Sequence, residues 1–207
     1  MTQTASDETG ARPPTVKNKR GLETRQRVLV VTKALIGEHG YSEVTLDQIS
    51  SAAGVAKSSL LWHFGSKEAL LAEAVTSLFQ EIEAQLLPQA AEGLPAAART
   101  CDLFERVAAY FTRNPEAKGI ILSLLFSGGV PEQVRAQIQA GWHEHAMSIA
   151  SFLSTPERPF PPDLARTMVA MFHGAYCQWY ADGRTQPIVS YLASAQQLIL
   201  DWLDGPR

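Results

Sequence analysis

The chain has 207 residues, 45% of them apolar, 19% charged and 8% aromatic, with a formal net charge of -3. Such a composition supplies a real apolar core and excludes wholesale disorder, a collagen-like or low-complexity chain, and a disulfide scaffold. A length of this order fits about one or two domains. The charge is unevenly spread: Arg12 to Lys67 holds nine basic and four acidic residues, whereas Glu68 to Arg207 holds nine basic and fifteen acidic ones. A basic front and an acidic rear suggest a nucleic-acid-facing segment joined to a body with another task.

Residues 1–20 read as a flexible arm that turns basic at Lys17, Lys19 and Arg20. Met1 to Pro14 is rich in Thr, Ser, Asp, Glu and Pro and lacks the apolar stretch of a secretory signal. The most apolar short run, Gly119 to Val130, falls well below the ~18 residues of a membrane helix. A cytoplasmic location and no membrane partner are therefore expected. Cys101 and Cys177 stand far apart in apolar helical patterns and read as two buried thiols.

From about Leu22 onward the pattern is helical, divided by Gly, Pro and polar clusters. No alternating β pattern bounded by hairpin turns appears, so the fold class expected is all-α. The first helix runs roughly from Leu22 to His39. Val28, Thr32, Leu35, Ile36 and His39 share its inner face, Arg25 and Lys33 point outward, and Gly40 closes it as a left-handed cap. The second helix opens at Thr45, where Thr45-Leu46-Asp47-Gln48 has the form of a capping box. Leu46, Ile49 and Ala53 then face a small core, and Gly54 makes a tight turn. A short third helix follows from about Lys57 to His63. Ser66 caps a fourth helix with Glu68 in its first turn, and that helix runs to about Leu87, before Pro88. Five further helices are expected: Ala96–Thr112, Pro115–Phe126, Pro131–Leu153, Pro162–Ala181 and Pro187–Leu203.

Two helices joined by Ala53-Gly54-Val55 form a helix-turn-helix, the unit that places its second helix in the DNA major groove. The surrounding residues make this specific. Thr45-Leu46-Asp47-Gln48-Ile49, Ala52-Ala53-Gly54-Val55, and Leu60-Leu61-Trp62-His63-Phe64-Gly65-Ser66-Lys67-Glu68-Ala69-Leu70 closely resemble the DNA-binding domain of the TetR family of bacterial transcriptional regulators, over residues ~22–75. The remainder is similar to that family only in length and helical layout. The resemblance implies a helix-turn-helix DNA-binding domain at 21–67 and a ligand-binding and dimerisation domain at 68–207. It implies a homodimer on a palindromic operator in double-stranded DNA, most often a repressor released by a small-molecule effector.

Carried over residue by residue, the resemblance gives Thr45 a phosphate contact through its hydroxyl and the helix N-terminus. Lys57, Ser58 and Ser59 face base edges or nearby phosphates. His63 reaches the DNA backbone, and Lys67 clamps a phosphate. Lys17, Lys19, Arg20 and Arg25 add charge, with the minor groove as one destination. Two residues depart from the family pattern. Leu61 stands where a Tyr hydroxyl commonly meets a phosphate, and Ala56 stands where Ser often caps the recognition helix. Trp62 either packs inside, the commoner place for an aromatic at helical spacing, or lies on the sugar-phosphate edge.

In the rear portion, the family's intersubunit four-helix bundle would fall on 162–181 and 187–203. Ala170, Gly174 and Gln178 on the first, with Leu192, Ala195 and Ile199 on the second, are the candidate dimer contacts. An apolar stripe of this kind is equally compatible with a core inside one subunit. Phe104, Phe126, Trp142, Met168, Phe172, Tyr176 and Trp179 are candidate lining residues for a largely apolar effector, and each also reads as plain core. His143 and His145 lie about 200° apart around a helix, whereas His173 and Cys177 share a face. A zinc site needs a third or fourth ligand, and no partner set is evident. No phosphate loop, nucleophile elbow or paired carboxylates are visible, so no catalytic residue, metal or cofactor is expected. The rival readings are a helical binding or scaffold protein that keeps the fold without operator recognition, and a metal- or redox-responsive regulator built on His173 and Cys177.

Overall fold

The computed structural model describes residues 16–87 and 93–205. Among these residues there is no strand, and nine helices follow one another in chain order. They are α1 (Val16–His39), α2 (Leu46–Ala53), α3 (Lys57–Phe64), α4 (Lys67–Leu86), α5 (Ala96–Arg113), α6 (Pro115–Phe126), α7 (Glu132–Leu153), α8 (Pro162–Ala181) and α9 (Val189–Asp204). The arm expected over 1–20 lies outside the described residues as far as residue 15. Residues 16–20 belong to α1, which therefore starts six positions before Leu22.

The local signals fold as their chemistry dictates. Gly40 adopts φ 77° and ends α1 with its N–H on the carbonyl of Ile36, 2.9 Å away. At α2 both halves of the capping box form: the Thr45 hydroxyl accepts from the Gln48 N–H, and the Gln48 side chain accepts from the Thr45 N–H at 2.7 Å. Ser66 caps α4 by accepting from the Ala69 N–H at 3.1 Å. These hydrogen bonds satisfy helix-end donors that would otherwise face solvent.

The first three helices enclose Val28, Ile36, Val44, Ile49, Ala53, Leu60 and Phe64, all buried. Helix α4 packs on this unit through α1 and α3, then continues against α5 and α7 in the rear body. Phe79 on α4 lies directly on Gly141 of α7: a Cβ at residue 141 would fall 2.3 Å from the nearest ring carbon. Alongside, the Thr76 hydroxyl and the Gln137 side chain are 3.1 Å apart. In the rear body α9 packs on α5 and α8, and α7 packs on α8.

Two arginines close helix ends. Arg99 donates to the carbonyls of Phe152 and Ser154 at the end of α7. Arg158 donates to the carbonyls of Trp202 and Leu203 at the end of α9, and its guanidinium stacks 4.0 Å from the Trp202 ring centre. A cation is favourable at both places because the last carbonyls lack intrahelical partners.

Two residues expected to point outward do not. Arg25 is half-buried: it pairs with both carboxylate oxygens of Glu73 on α4 and donates to the carbonyl of His63, 2.6 Å away. Lys33 is 8% exposed and donates to Glu81 at 2.5 Å and Ser77 at 3.2 Å. Helix α1 is covered on a second side by α4, so these positions meet carboxylates rather than solvent. The thiols also differ from expectation: Cys177 is exposed and Cys101 only partly covered. Cys177 lies on the side of α8 turned away from the buried Phe172, Ala175, Tyr176 and Trp179.

Candidate nucleic-acid interface

The corner between α2 and α3 is fixed by Gly54, at φ 63°, whose N–H bonds back to the carbonyls of Ser50 and Ser51. Val55 adds a bond to the Ser50 carbonyl at 3.0 Å. A β-carbon is strained in this left-handed conformation, which is why glycine suits the turn. Leu60 and Phe64 then anchor the inner side of α3. Helical geometry turns Ser58 and Trp62 to the opposite side and Leu61 to the flank, and Lys57, in the first turn, is free of the core although it shares the angular position of Leu60 and Phe64; all four are exposed.

Trp62 is 80% exposed, with its ring edge-on to His63 at 4.7 Å between centroids. The expectation that it packs inside is corrected, because Leu60 and Phe64 already fill the inward positions of so short a helix. Ala56 starts α3 without a side-chain cap, and no neighbouring serine supplies one. Lys57 reaches back to Asp47 on α2, 2.9 Å from Oδ2, and both side chains remain solvent-accessible. Thr45 is exposed, with its hydroxyl engaged in the cap. Ser59 and His63 are half-buried on one edge of α3.

Lys67 begins α4 with its ammonium 5.1 Å from the centre of the buried Tyr41 ring. The Tyr41 phenol is pushed above its ordinary range, first by burial and then by the nearby Glu68 carboxylate. Glu68 is itself held below the usual carboxylate range by its backbone N–H bond, the Ser66 hydroxyl and Lys67, against a smaller opposing effect of burial. The start of α4 therefore favours bound negative charge, as a helix N-terminus does.

Arg25 was not among the expected positioning residues. Besides its bonds to Glu73 and His63, its guanidinium lies 4.5 Å from the Phe64 ring centre. It thus joins α1, the end of α3 and α4. The signal was in the sequence: Glu73 falls among Leu70, Leu71, Ala72, Ala74 and Val75 on a largely buried helix, where a carboxylate needs a cation. Among the other arm residues, Lys19 and Arg20 are exposed on α1, and the side chain of Lys17 lies outside the described residues.

In the rear body, Phe104, Met168, Phe172, Tyr176 and Trp179 are all buried. Phe104 meets Phe172 edge-on at 5.0 Å, and the Trp179 indole donates to the Gln186 carbonyl at 2.8 Å. Trp142 stands apart from them, 5.1 Å from His173 in an open groove of about 390 Å³ between α7 and α8 that Arg166, Val169 and Ala170 also line. Phe126 is 84% exposed at the end of α6 and does not line the interior; α6 turns Ile121 and Leu124 inward instead.

Ala170, Gly174 and Gln178 share the exposed side of α8, and Ala195 is half-buried. Leu192 and Ile199 are each 1% exposed and belong to the chain's own core, so they have no surface left to offer a second copy. The apolar stripe on α9 is consumed by α5 and α8, and its outer side carries Ala193, Ser194, Gln197 and Leu198. Among the described residues, no group of three or more His, Cys, Asp and Glu comes together as a metal site.

Among the described residues, a capped helix-turn-helix at the front with a larger helical body behind it is an arrangement that helix-turn-helix DNA-binding proteins use. Residues 28–74 match the family profile described as "Bacterial regulatory proteins, tetR family". The HTH-type transcriptional regulator SrpR from Pseudomonas putida is 35% identical over 66 residues, covering 32% of this chain and 31% of SrpR. The match thus spans less than a third of that relative's length. Over most of the chain the likeness is one of fold. A TetR transcription regulator from Haloarcula marismortui superposes with a TM-score of 0.69 at 16% identity, covering 88% of this chain and 97% of that one. Thermus thermophilus FadR, a TetR-family repressor solved in complex with lauroyl-CoA, gives a TM-score of 0.60 at 19% identity, covering 86% and 93%. The likeness in sequence to the tetR family is thus confined to the front of the chain, residues 28–74, and the likeness of the remainder is one of fold.

Proposed function

We propose that this protein is a transcriptional regulator that binds a palindromic operator as a homodimer and is released from it by a small, largely apolar effector. The observation that carries the reading is α3 itself, whose Lys57, Ser58, Leu61 and Trp62 stand exposed beside a corner held by Gly54. A short helix presented on a fixed corner is what major-groove entry needs. In this reading residues 21–67 bind DNA, and residues 68–207 dimerise and sense the effector. Thr45 and Lys67 take phosphates, Lys57, Ser58 and Ser59 face base edges, and Trp62 and His63 lie along the sugar-phosphate edge.

One recognition helix reads only a few base pairs, so a two-fold dimer doubles the site. The exposed small residues Ala170 and Gly174 on α8, with Ala193, Ser194 and Leu198 on α9, offer a surface for the second copy. The effector would separate α5 and α8 around Phe104, Met168, Phe172 and Tyr176, or enter beside Trp142. The bound lauroyl-CoA of the FadR relative supports a ligand with an apolar tail. Helix α4 contacts both α1 and α7, so an effector that favours another placement of α7 also shifts the spacing of the recognition helices. No described helix is long and apolar enough to cross a membrane, which suits a cytoplasmic regulator.

The test is selection of random duplex DNA by the purified protein at near-physiological salt. An enriched inverted repeat is the expected result, with affinity falling steeply with salt at about -0.9 per phosphate contact on logarithmic axes. The absence of any enriched sequence overturns the reading and favours a ligand-binding protein that retains the fold, to which Leu61 and the uncapped Ala56 already point.

A further inference from the structure

Asp47 and Lys57 meet across the helix-turn-helix at 2.9 Å, both exposed. An exposed ion pair of this kind contributes little to folding. It does place two opposite groups side by side on the surface that, in the reading above, faces DNA. The Asp47 carboxylate only accepts hydrogen bonds and the Lys57 ammonium only donates them. One contact between them leaves a carboxylate oxygen and two ammonium protons to meet a third party.

We propose that Asp47 and Lys57 act as a unit that reads a single G·C base pair in each half-site. The inference rests on the operator-binding reading. In the major groove a G·C pair presents, in order, two acceptors, guanine N7 and O6, and one donor, the cytosine N4 amino group. Lys57 matches the two acceptors and Asp47 matches the donor. An A·T pair presents acceptor, donor and acceptor, followed by a methyl group. Its terminal acceptor, thymine O4, meets the carboxylate with like polarity, so the same pair of side chains disfavours A·T. Asp47 also lowers the charge available to phosphates, because Lys57 is already engaged. The pair therefore adds discrimination rather than general affinity. Asp47 thereby gains a role in specificity, although a carboxylate near DNA would otherwise count against binding.

The experiment compares random-duplex selections by the full chain carrying the natural residues, by Asp47→Ala and by Lys57→Ala, with circular dichroism confirming that each is folded. The inference expects one G·C pair per half-site whose preference over A·T falls at least about fivefold in both variants, while the other positions stay fixed. Asp47→Ala is also expected to bind random-sequence DNA more tightly than the natural chain, since Lys57 is freed for phosphates. If the natural chain enriches a repeat and Asp47→Ala retains every base preference, the pairing is overturned while the operator reading stands. Relaxation of two different base pairs by the two variants overturns it equally. If the natural chain enriches nothing, the operator reading falls and the pairing falls with it.

Discussion

Gly141 places a sharp demand on the packing of α4 against α7. A methyl group there would lie 2.3, 2.5 and 2.7 Å from three ring carbons of Phe79, whereas carbon atoms pack favourably at about 3.5–4.0 Å. In Gly141→Ala the ring or the helix must therefore move by roughly 1 Å or more. Overpacking of this kind costs about 1–3 kcal/mol, and a gap this short places it in the upper part of that range. The same substitution gains about 0.8–1.0 kcal/mol of helix propensity inside α7. The net expectation is a loss of about 1–2 kcal/mol, or a Tm lower by about 2–8 °C for a chain of this size. The pair of opposing contributions makes a sign test possible. Phe79→Ala removes all three clashing carbons and is itself destabilising. In that background Gly141→Ala should stabilise, because only the propensity gain remains. Thermal unfolding followed by circular dichroism on the four chains of the cycle gives the coupling directly. An equal Tm change for Gly141→Ala in both backgrounds refutes the close-contact argument.

Four further outcomes are expected. Arg25→Ala removes three hydrogen bonds joining α1, α3 and α4, and with the pair half-exposed it should cost about 2 kcal/mol in chemical denaturation; DNA affinity should fall as well, since the end of the recognition helix loses its anchor. Leu61→Tyr restores a hydroxyl on the exposed side of α3 and should tighten binding to the selected operator severalfold in fluorescence anisotropy, with no change in fold. Leu198→Glu should shift the protein toward monomer in sedimentation experiments, whereas Ile199→Ala should lower the Tm, because only the first side chain is exposed. The Tyr110 phenol is pushed up to about 12, by burial first and Glu81 second. Its folded pKa lies above the unfolded value near 10, so its stability contribution is complete below about pH 10 and is lost as pH rises through 12. Tyr110→Phe should therefore flatten the loss of stability across pH 10–12.

Local signals decided most of the front of the chain. The Thr45–Gln48 box, Gly54, Gly40 and Ser66 each act through hydrogen bonds within a few residues or through a backbone conformation that the residue type itself permits. Their outcome hardly depends on what lies elsewhere, so sequence alone placed the helix-turn-helix and the family motif that overlies it. The ends of α6 and α8 were legible for the same reason, since Pro at the first helical position and a polar break at the end are local features.

Contacts between distant elements could not be read in this way. A charge on α1 looks solvent-bound until α4 brings Glu73 and Glu81 beside it, which is why Arg25 and Lys33 turned inward. The stripe of Leu192 and Ile199 shows that α9 must bury one side, and periodicity is silent on whether the cover is the same subunit or another. Tertiary packing gave that side to α5 and α8, and left Ala193, Ser194 and Leu198 outside. Trp62 was pushed to the surface because a two-turn helix has room for only Leu60 and Phe64 within. The sequence by itself determined where the chain turns and which helices form, since those energies are local. Only the tertiary structure decided which side of each helix is free, because burial depends on partners far away in the chain.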